Sequence, residues 1–397
     1  MEKDNIKNET AEAVGNKSRG GRIIIRIMIA VFFFLTFGTA VFSLAVKDKD
    51  FSESENRMLS QFPHLSLSAV TDGSFTKGFE SWLADQFPLR DFAISLKTSF
   101  DLLTGKREEN NVYIGENGFL FDFTPEADEE LISEKTALIK AFLKKNSDKK
   151  QMLMLIPSAL SVYGEYLPCG TDSTAADTIL KKTSEALKVK GLLVPDVKKI
   201  LSAAKEKDNL LYYRTDHHWT TDAAYEMYLY AEKKWKLNES GVRYDFFTVS
   251  DSFKGTLASR SGVSSSSDTV KICIPESSEG TYVVNFEQEQ RKDVSLFDKE
   301  KLTQKNKYEV FLGGNYGKVT IKTTAANGKS LLLIKDSYAN CLIPMLTPHF
   351  EEIVVVDPRY MTEGLDKVTQ EHSFTHILLL YSINTFIEDK TLCDVLS

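Results

Sequence analysis

The sequence predicts an α/β protein with a mostly parallel sheet. Three observations carry that expectation. Short, strongly apolar runs recur: QMLMLIP (151–157), SLLLIKD (330–336), EIVVVD (352–357) and HILLLY (376–381). Each has the length and composition of a buried strand. Stretches with apolar residues at helical spacing lie between them. The alternation of the two is what a sheet covered by helices on both faces requires.

Taken in order, residues 47 to about 72 are polar and rich in turn formers, and read as a stalk. Phe75, Phe79 and Trp82, then Phe92, Leu96, Phe100 and Leu103, fall at helical spacing on either side of Pro88. Proline interrupts a helix, so two amphipathic helices are expected. Their apolar faces serve packing or bind a partner. VYIGENGFLF (112–121) sets two apolar runs about Asn117-Gly118, a hairpin signal. A helix from Glu129 to Lys145 follows, then the strand 151–157 and a helix over 174–190. LLVPD (192–196) reads as a strand, 197–206 as a helix, LLYYR (210–214) as a strand, and 222–235 as a helix ending at Trp235. Residues 240–325 break the rhythm. They include the serine-rich SRSGVSSSSD (259–268) and are expected to form an insertion or lid. The last third resumes the alternation, with helices from 338 and near 364.

The N-terminus sets the compartment. Residues 27–46, IMIAVFFFLTFGTAVFSLAV, run for twenty residues without a charge, about the length that spans a bilayer as a helix. Lys17, Arg19, Arg22 and Arg26 precede the run with no acid among them. The positive-inside rule then leaves 1–26 in the cytoplasm and everything after Lys47 outside. Ser43-Leu44-Ala45 offers the alternative of a cleaved signal peptide. Either way the main domain, 111–397, is expected to be extracytoplasmic, behind a stalk and helices over 47–110.

Composition narrows the function. The formal net charge is −7, which argues against the basic face of a nucleic-acid binder. Cys169, Cys273, Cys341 and Cys393 show no CxxC pair and no zinc-ligand spacing. They read as free or buried thiols, and a disulfide stays open in an oxidising compartment.

Three segments carry chemistry. In RTDHHWTTDAAY (214–225), Asp216, His217, His218 and Trp219 occupy a turn after an expected strand, and Thr220 or Thr221 caps the next helix. A carboxylate two residues before a histidine can fix its tautomer and stabilise the imidazolium. The same residues can also cap a turn or ligate a metal, although no further ligand cluster accompanies them. In LLLIKDSYANCLIPML (331–346), Ser337 follows a strand at a helix start, where free N–H groups favour a developing oxyanion. A serine there is equally an ordinary cap. In HILLLYSINTF (376–386), Asn384 follows another strand and could point its amide into the same mouth. A nucleophile, a base with its acid and an amide donor at strand ends together make an arrangement suited to acyl transfer.

At these residues the chain resembles the DHHW protein family, through Asp216-His217-His218-Trp219. It also resembles the alginate O-acetylation proteins, which carry Asp-x-His-Trp and a later Gly-Asp-Ser-Phe-like turn. FSESENRMLSQFP (51–63), FESWLADQFPLRD (79–91), LIPSALSVYGEYLP (155–168) and VVDPRY (355–360) look like accessory blocks. The resemblance implies a three-layer, SGNH-hydrolase-like domain with its motifs in permuted order. It implies Ser337 as nucleophile, His218 as base and Asp216 as acid, with His217 in the variable middle position. Asn384 would be the oxyanion donor, and Tyr338, Arg359 and Trp219 would line or support the pocket. Lys335 replaces the glycine of Gly-Asp-Ser, and DPRY occupies the place of the oxyanion glycine block.

The expected function is that of an extracytoplasmic O-acetyltransferase for a cell-surface or exported polysaccharide, working through an acyl-serine. No bound cofactor or metal is expected. The resemblance implies that a membrane-bound O-acyltransferase partner supplies the acetyl group, since acetyl-CoA stays in the cytoplasm. The alternatives are a carbohydrate acetylesterase with the same residues and a non-catalytic glycan-binding or scaffold protein.

Overall fold

The computed structural model describes residues 21–34, 37–38, 47–52, 57–87, 90–171, 173–206, 209–237, 241–263, 266–276 and 282–396. The chain divides into two units, 1–97 and 98–397. In the first, 21–34 and 37–38 are helical and exposed. The expected membrane span, 27–46, lies half outside the described residues, and among those described no helix is long and apolar enough to cross a membrane. The helix Ser74–Asp85 gathers Phe62, Phe75, Phe79 and Trp82 into one aromatic cluster, and Trp82 Nε1 donates to Asp48 Oδ2 at 2.7 Å. The second expected amphipathic helix runs over Arg90–Leu103, and Pro88 falls outside the described residues.

An eight-stranded sheet organises the second unit. Its strands are β1 (Lys150–Ile156), β2 (Leu192–Leu193), β3 (Tyr282–Phe286), β4 (Arg291–Asp293), β5 (Lys318–Thr323), β6 (Ser330–Lys335), β7 (Glu352–Val356) and β8 (His376–Ser382). Their order is β4-β3-β5-β7-β6-β8-β1-β2. The run from β7 to β2 is parallel, and β5, β3 and β4 join antiparallel on the β7 edge. The sheet is therefore mixed: five strands form the expected parallel run, and three antiparallel strands extend it. The three antiparallel strands come from the region read as an insertion. Their mixed polar sequences hid them, because a sheet's outer strands need not be apolar on both faces.

The central strands alternate between two cores. Met152, Met154, Leu331, Leu333, Leu378 and Leu380 point to one, and Leu153, Leu155, Leu332, Ile334, Ile377 and Leu379 to the other. Such two-sided burial explains their unbroken apolar runs. Helix α1 (Glu129–Lys145) closes one face through Ile139, Phe142 and Leu143. Helices α2 (Val197–Lys205) and α3 (Thr221–Trp235) close the other through Leu201, Ala223, Met227 and Trp235. Asp128 caps α1 by accepting from the Glu130 and Leu131 amides. The hairpin near 112–121 forms with Asn117 and Gly118 both left-handed at its tip.

One expected strand is absent. Residues 210–214 fold back on 218–220 instead. Tyr213 N–H donates to His218 O at 3.2 Å and Thr220 N–H to Leu211 O at 2.9 Å, around a lone bridge between Tyr212 and Trp219. Leu211, Tyr212 and Tyr213 are wholly buried, so their apolar run mimics a core strand. A remaining piece, from 244 to 275, is an insertion: a long hairpin of Tyr244–Phe253 and Asp268–Pro275 with the helix Thr256–Ser261 between its arms.

Candidate active site

Ser337 stands two residues beyond the end of β6. Asp336 caps the short 3-10 helix Ser337–Cys341, accepting from Tyr338 N at 3.0 Å. The other Asp336 oxygen accepts from Ser382 N, at the end of β8, at 2.8 Å. The serine is thus fixed between two adjacent parallel strands. As the first residue of its helix, Ser337 has no intrahelical acceptor for its N–H.

The Asp216-His217-His218-Trp219 turn approaches from another direction. It sits at no strand end. The back-folded segment 211–220 carries it, and the 244–275 insertion holds it there. Asp268 accepts from Arg214 N, Thr215 N and Thr215 Oγ1 at 2.8, 2.8 and 2.6 Å. Trp219, fully buried, donates from Nε1 to Tyr338 O at 2.8 Å and ties the turn to the serine's helix.

The outcome is a short hydrogen-bond chain. Asp216 Oδ1 lies 2.5 Å from His218 Nδ1 and accepts the His218 amide at 3.0 Å. His218 Nε2 lies 2.8 Å from Ser337 Oγ. Asp216 Oδ2 is filled by the Thr256 amide at 2.8 Å and Thr256 Oγ1 at 3.0 Å. An ionised Asp216 accepts a hydrogen bond from Nδ1–H, which leaves the Nε2 lone pair facing the serine hydroxyl. Gly255 makes this possible. A Cβ there would lie 2.2 Å from Asp216 Cβ, so only glycine lets the insertion's backbone come this close.

Electrostatics follow from burial and neighbours. Burial works to raise the Asp216 pKa, but the two histidines and the hydrogen bonds from His218 and Thr256 outweigh it. The carboxyl is held well below the usual carboxylate range. Burial, reinforced by His217, lowers His218 to about 4 despite the opposing Asp216. At neutral pH the imidazole is therefore uncharged and able to accept a proton.

The other expected residues divide. His217 lies against His218 with ring centroids 3.9 Å apart and planes tilted by 36°, and its Nδ1 lies 2.7 Å from Thr256 Oγ1. Tyr338 donates its hydroxyl to His217 O. Asn384 is on the helix after β8, but its Nδ2 donates to Phe123 O at 3.3 Å. Arg359 is bidentate on Asp357 at 2.9 and 2.7 Å. Lys335, wholly buried, reaches Asp357 Oδ2 and Asn315 Oδ1, each at 3.0 Å. Lys335 and Arg359 thus share the Asp357 carboxylate in one charged cluster at the ends of β6 and β7.

Asp216, His217 and His218 also bring their ligand atoms within 4.8 Å of one another, as a metal site would. Both Asp216 oxygens and both His218 nitrogens are already in hydrogen bonds, so a metal would have to break the contact to Ser337 or those to Thr256. None of Cys169, Cys273 and Cys341 forms a disulfide among the described residues.

Sequence reasoning missed Tyr308, Thr256, Gly255 and Asp268. Tyr308 stacks on His218 with centroids 3.7 Å apart and rings within 13° of parallel, and donates from Oη to Ser337 O at 3.0 Å. No local motif marks these residues. They matter only because the insertion and the 3-10 segment 307–310 fold onto the turn.

Residues 195–356 match the model of the DHHW protein family. The match includes Asp216, His218 and Ser337. The chain is 25% identical over 171 residues to a probable alginate O-acetylase, AlgJ, of Pseudomonas syringae pv. tomato; the alignment takes in 41% of this chain and 43% of that protein, so this chain spans less than half of the relative. Among solved structures, a DHHW family protein from Eubacterium siraeum superposes with a TM-score of 0.57 at 22% identity, over 72% of this chain and 95% of that one. Bacillus cereus PatB1, solved with a sulfonyl adduct, gives 0.58 at 17%, over 70% and 96%. These DHHW and PatB1 likenesses establish the α/β fold with its mixed sheet.

Proposed function

We propose that the protein is an extracytoplasmic O-acetyltransferase that acts on a cell-surface or exported polysaccharide. The observation that carries this reading is the chain from Asp216 Oδ1 through His218 to Ser337 Oγ, with distances of 2.5 and 2.8 Å. The likeness to a probable alginate O-acetylase gives it a substrate class.

In the first half-reaction Ser337 Oγ attacks the carbonyl carbon of an acetyl ester while His218 Nε2 takes the hydroxyl proton. The tetrahedral intermediate collapses, the donor's alkoxide leaves with that proton, and acetyl-Ser337 remains. In the second, His218 removes a proton from a sugar hydroxyl, whose oxygen attacks the acyl carbon. Ser337 departs and regains its proton. Asp216 holds the tautomer and stabilises the imidazolium in both halves. The Ser337 N–H, at the helix start, is placed to stabilise the oxyanion. A membrane-bound O-acyltransferase would present the acetyl group, with the apolar segment 27–46 keeping this protein at the membrane.

The test is p-nitrophenyl acetate turnover with intact-mass detection of an acetyl adduct. Wild type should show a +acetyl species that Ser337→Ala lacks. Neither turnover nor adduct, with or without the membrane partner, would sink the proposal. Transfer to water alone, unchanged by sugar acceptors, would make the protein an esterase.

A further inference from the structure

A second feature adjoins His217 and Tyr338. It is a cavity of about 240 Å³ between the 112–122 hairpin, the helix after β8 and the helix Thr256–Ser261. That is below the roughly 300–1,000 Å³ of sites that hold drug-sized ligands, and fits one sugar ring better than a whole oligosaccharide. Two polar atoms in its wall, Ser158 Oγ and Asn384 Oδ1, are buried without a hydrogen-bond partner. Buried polar atoms are rarely left so, and each calls for a ligand group or water.

The wall's chemistry selects the occupant. Asn384 Oδ1, a carbonyl oxygen, can only accept, and the same amide's Nδ2 donates to Phe123 O. Glu388 is exposed at the rim and Asp122 lies deeper, so acceptors dominate. The only lysine or arginine among the lining residues is Arg260, and it is engaged by Asp122 and by Asn111 O, the latter at 3.1 Å. Asp122 thus has an ion-pair partner, whereas Glu388 forms no ion pair among the described residues. A cavity that offers acceptors and a spare negative charge fits hydroxyl and amide N–H donors. It repels a carboxylate, and like charges set face to face cost affinity.

We infer that this cavity is the acceptor subsite and that it takes a neutral, hydroxyl- or acetamido-bearing sugar unit rather than a uronate. The inference rests on the acyl-transfer reading of Ser337 but is tested separately from it. It also separates this chain from its alginate-acetylating relative, whose named polymer is a polyuronate.

The experiment measures binding, not turnover. Full-length protein carrying Ser337→Ala is titrated calorimetrically with chitopentaose, cellopentaose and a mannuronate pentamer at pH 7 and low salt. At least one neutral pentamer should bind about tenfold more tightly than the uronate, a difference of ~1.4 kcal/mol. Glu388→Gln should narrow that gap by strengthening uronate binding, and Asn384→Leu should weaken the neutral sugar about fivefold or more. Equal or tighter uronate binding, a gap indifferent to Glu388→Gln, or no binding of any pentamer would overturn the inference. If the neutral preference holds while wild type forms no acetyl-serine, the cavity stands as a glycan site and only the transfer reading falls.

Discussion

Ser337 and His218 lie 2.8 Å apart, yet they are positioned by different kinds of structure. The serine belongs to the sheet. It follows β6 directly, and Asp336 locks it to the end of β8. The histidine belongs to a turn that no strand supports. Side chains and backbone of the 244–275 insertion hold that turn through Asp268, Thr256 and Gly255. The nucleophile's place is thus set by the regular lattice of strands, and the base's by a few specific hydrogen bonds. Changes on the serine side should alter chemistry without moving the fold. Changes on the histidine side should first loosen a local tertiary contact.

The largest effect tests the junction of the two regions. Ser337→Ala and His218→Ala should each lower ester turnover by roughly 10³- to 10⁶-fold, and the double variant no further, since residues that act as a unit are not additive. Steady-state kinetics on variants with unchanged circular dichroism will check this. Losses that add in the double variant would break the unit.

Gly255→Ala should strike the histidine side alone. Its Cβ has no room beside Asp216, so the variant should be less stable by about 3 kcal/mol, the upper end of ordinary overpacking. A chemical-denaturation midpoint will report it. Turnover should fall in parallel. A variant of wild-type stability would mean that the insertion does not clamp the turn.

The pH dependence sharpens the same contrast. Burial lowers His218, His349 and His376 to about 4 each. In the unfolded chain each would protonate near 6.5, so between about 6.5 and 4 the unfolded state binds more protons than the folded state. Stability therefore falls as pH drops through that window, by up to about 1.4 kcal/mol per pH unit for each histidine. Urea titrations at pH 7 and pH 5 will show it. Activity behaves differently. A neutral His218 is the competent base, so kcat/KM should stay level down to about pH 5 and fall near 4. An acid limb near 6.5 would show that His218 is open to solvent.

The smaller effects come from neighbours. His217→Asn should cost about tenfold or less, because His217 makes no hydrogen bond to His218 or Ser337 and meets the Asp216–His218–Ser337 chain through Thr256, its ring contact with His218 and its 3.8 Å approach to Asp216. A loss equal to that of His218→Asn would reassign the base. Tyr308→Phe keeps the stack on His218 and removes the hydroxyl's bonds to Ser337 O at 3.0 Å and Tyr338 O at 3.4 Å. It should cost about 0.5–1.5 kcal/mol, a few-fold in rate. Steady-state kinetics will rank the two.

The sequence alone determined the central strands, because a strand buried on both faces carries an unbroken apolar run through its middle, as β1, β6, β7 and β8 do. It also marked Ser337 and the Asp216-to-Trp219 turn, since Asp-x-His beside a helix cap and a serine at a strand end are local patterns. It could not tell residues 210–214 from a strand, because a buried loop and a buried strand share their apolar content. Nor did it reveal that 282–323 extends the sheet, since strands with one polar face carry a weaker signal. Only the tertiary structure decided which residues hold the turn. Tyr308, Thr256, Gly255 and Asp268 come from 30 or more positions away along the chain. Only the structure turned the Asn384 amide toward Phe123 and paired Arg359 with Asp357. Both are choices among competing partners, and proximity in space settles them where chain order cannot.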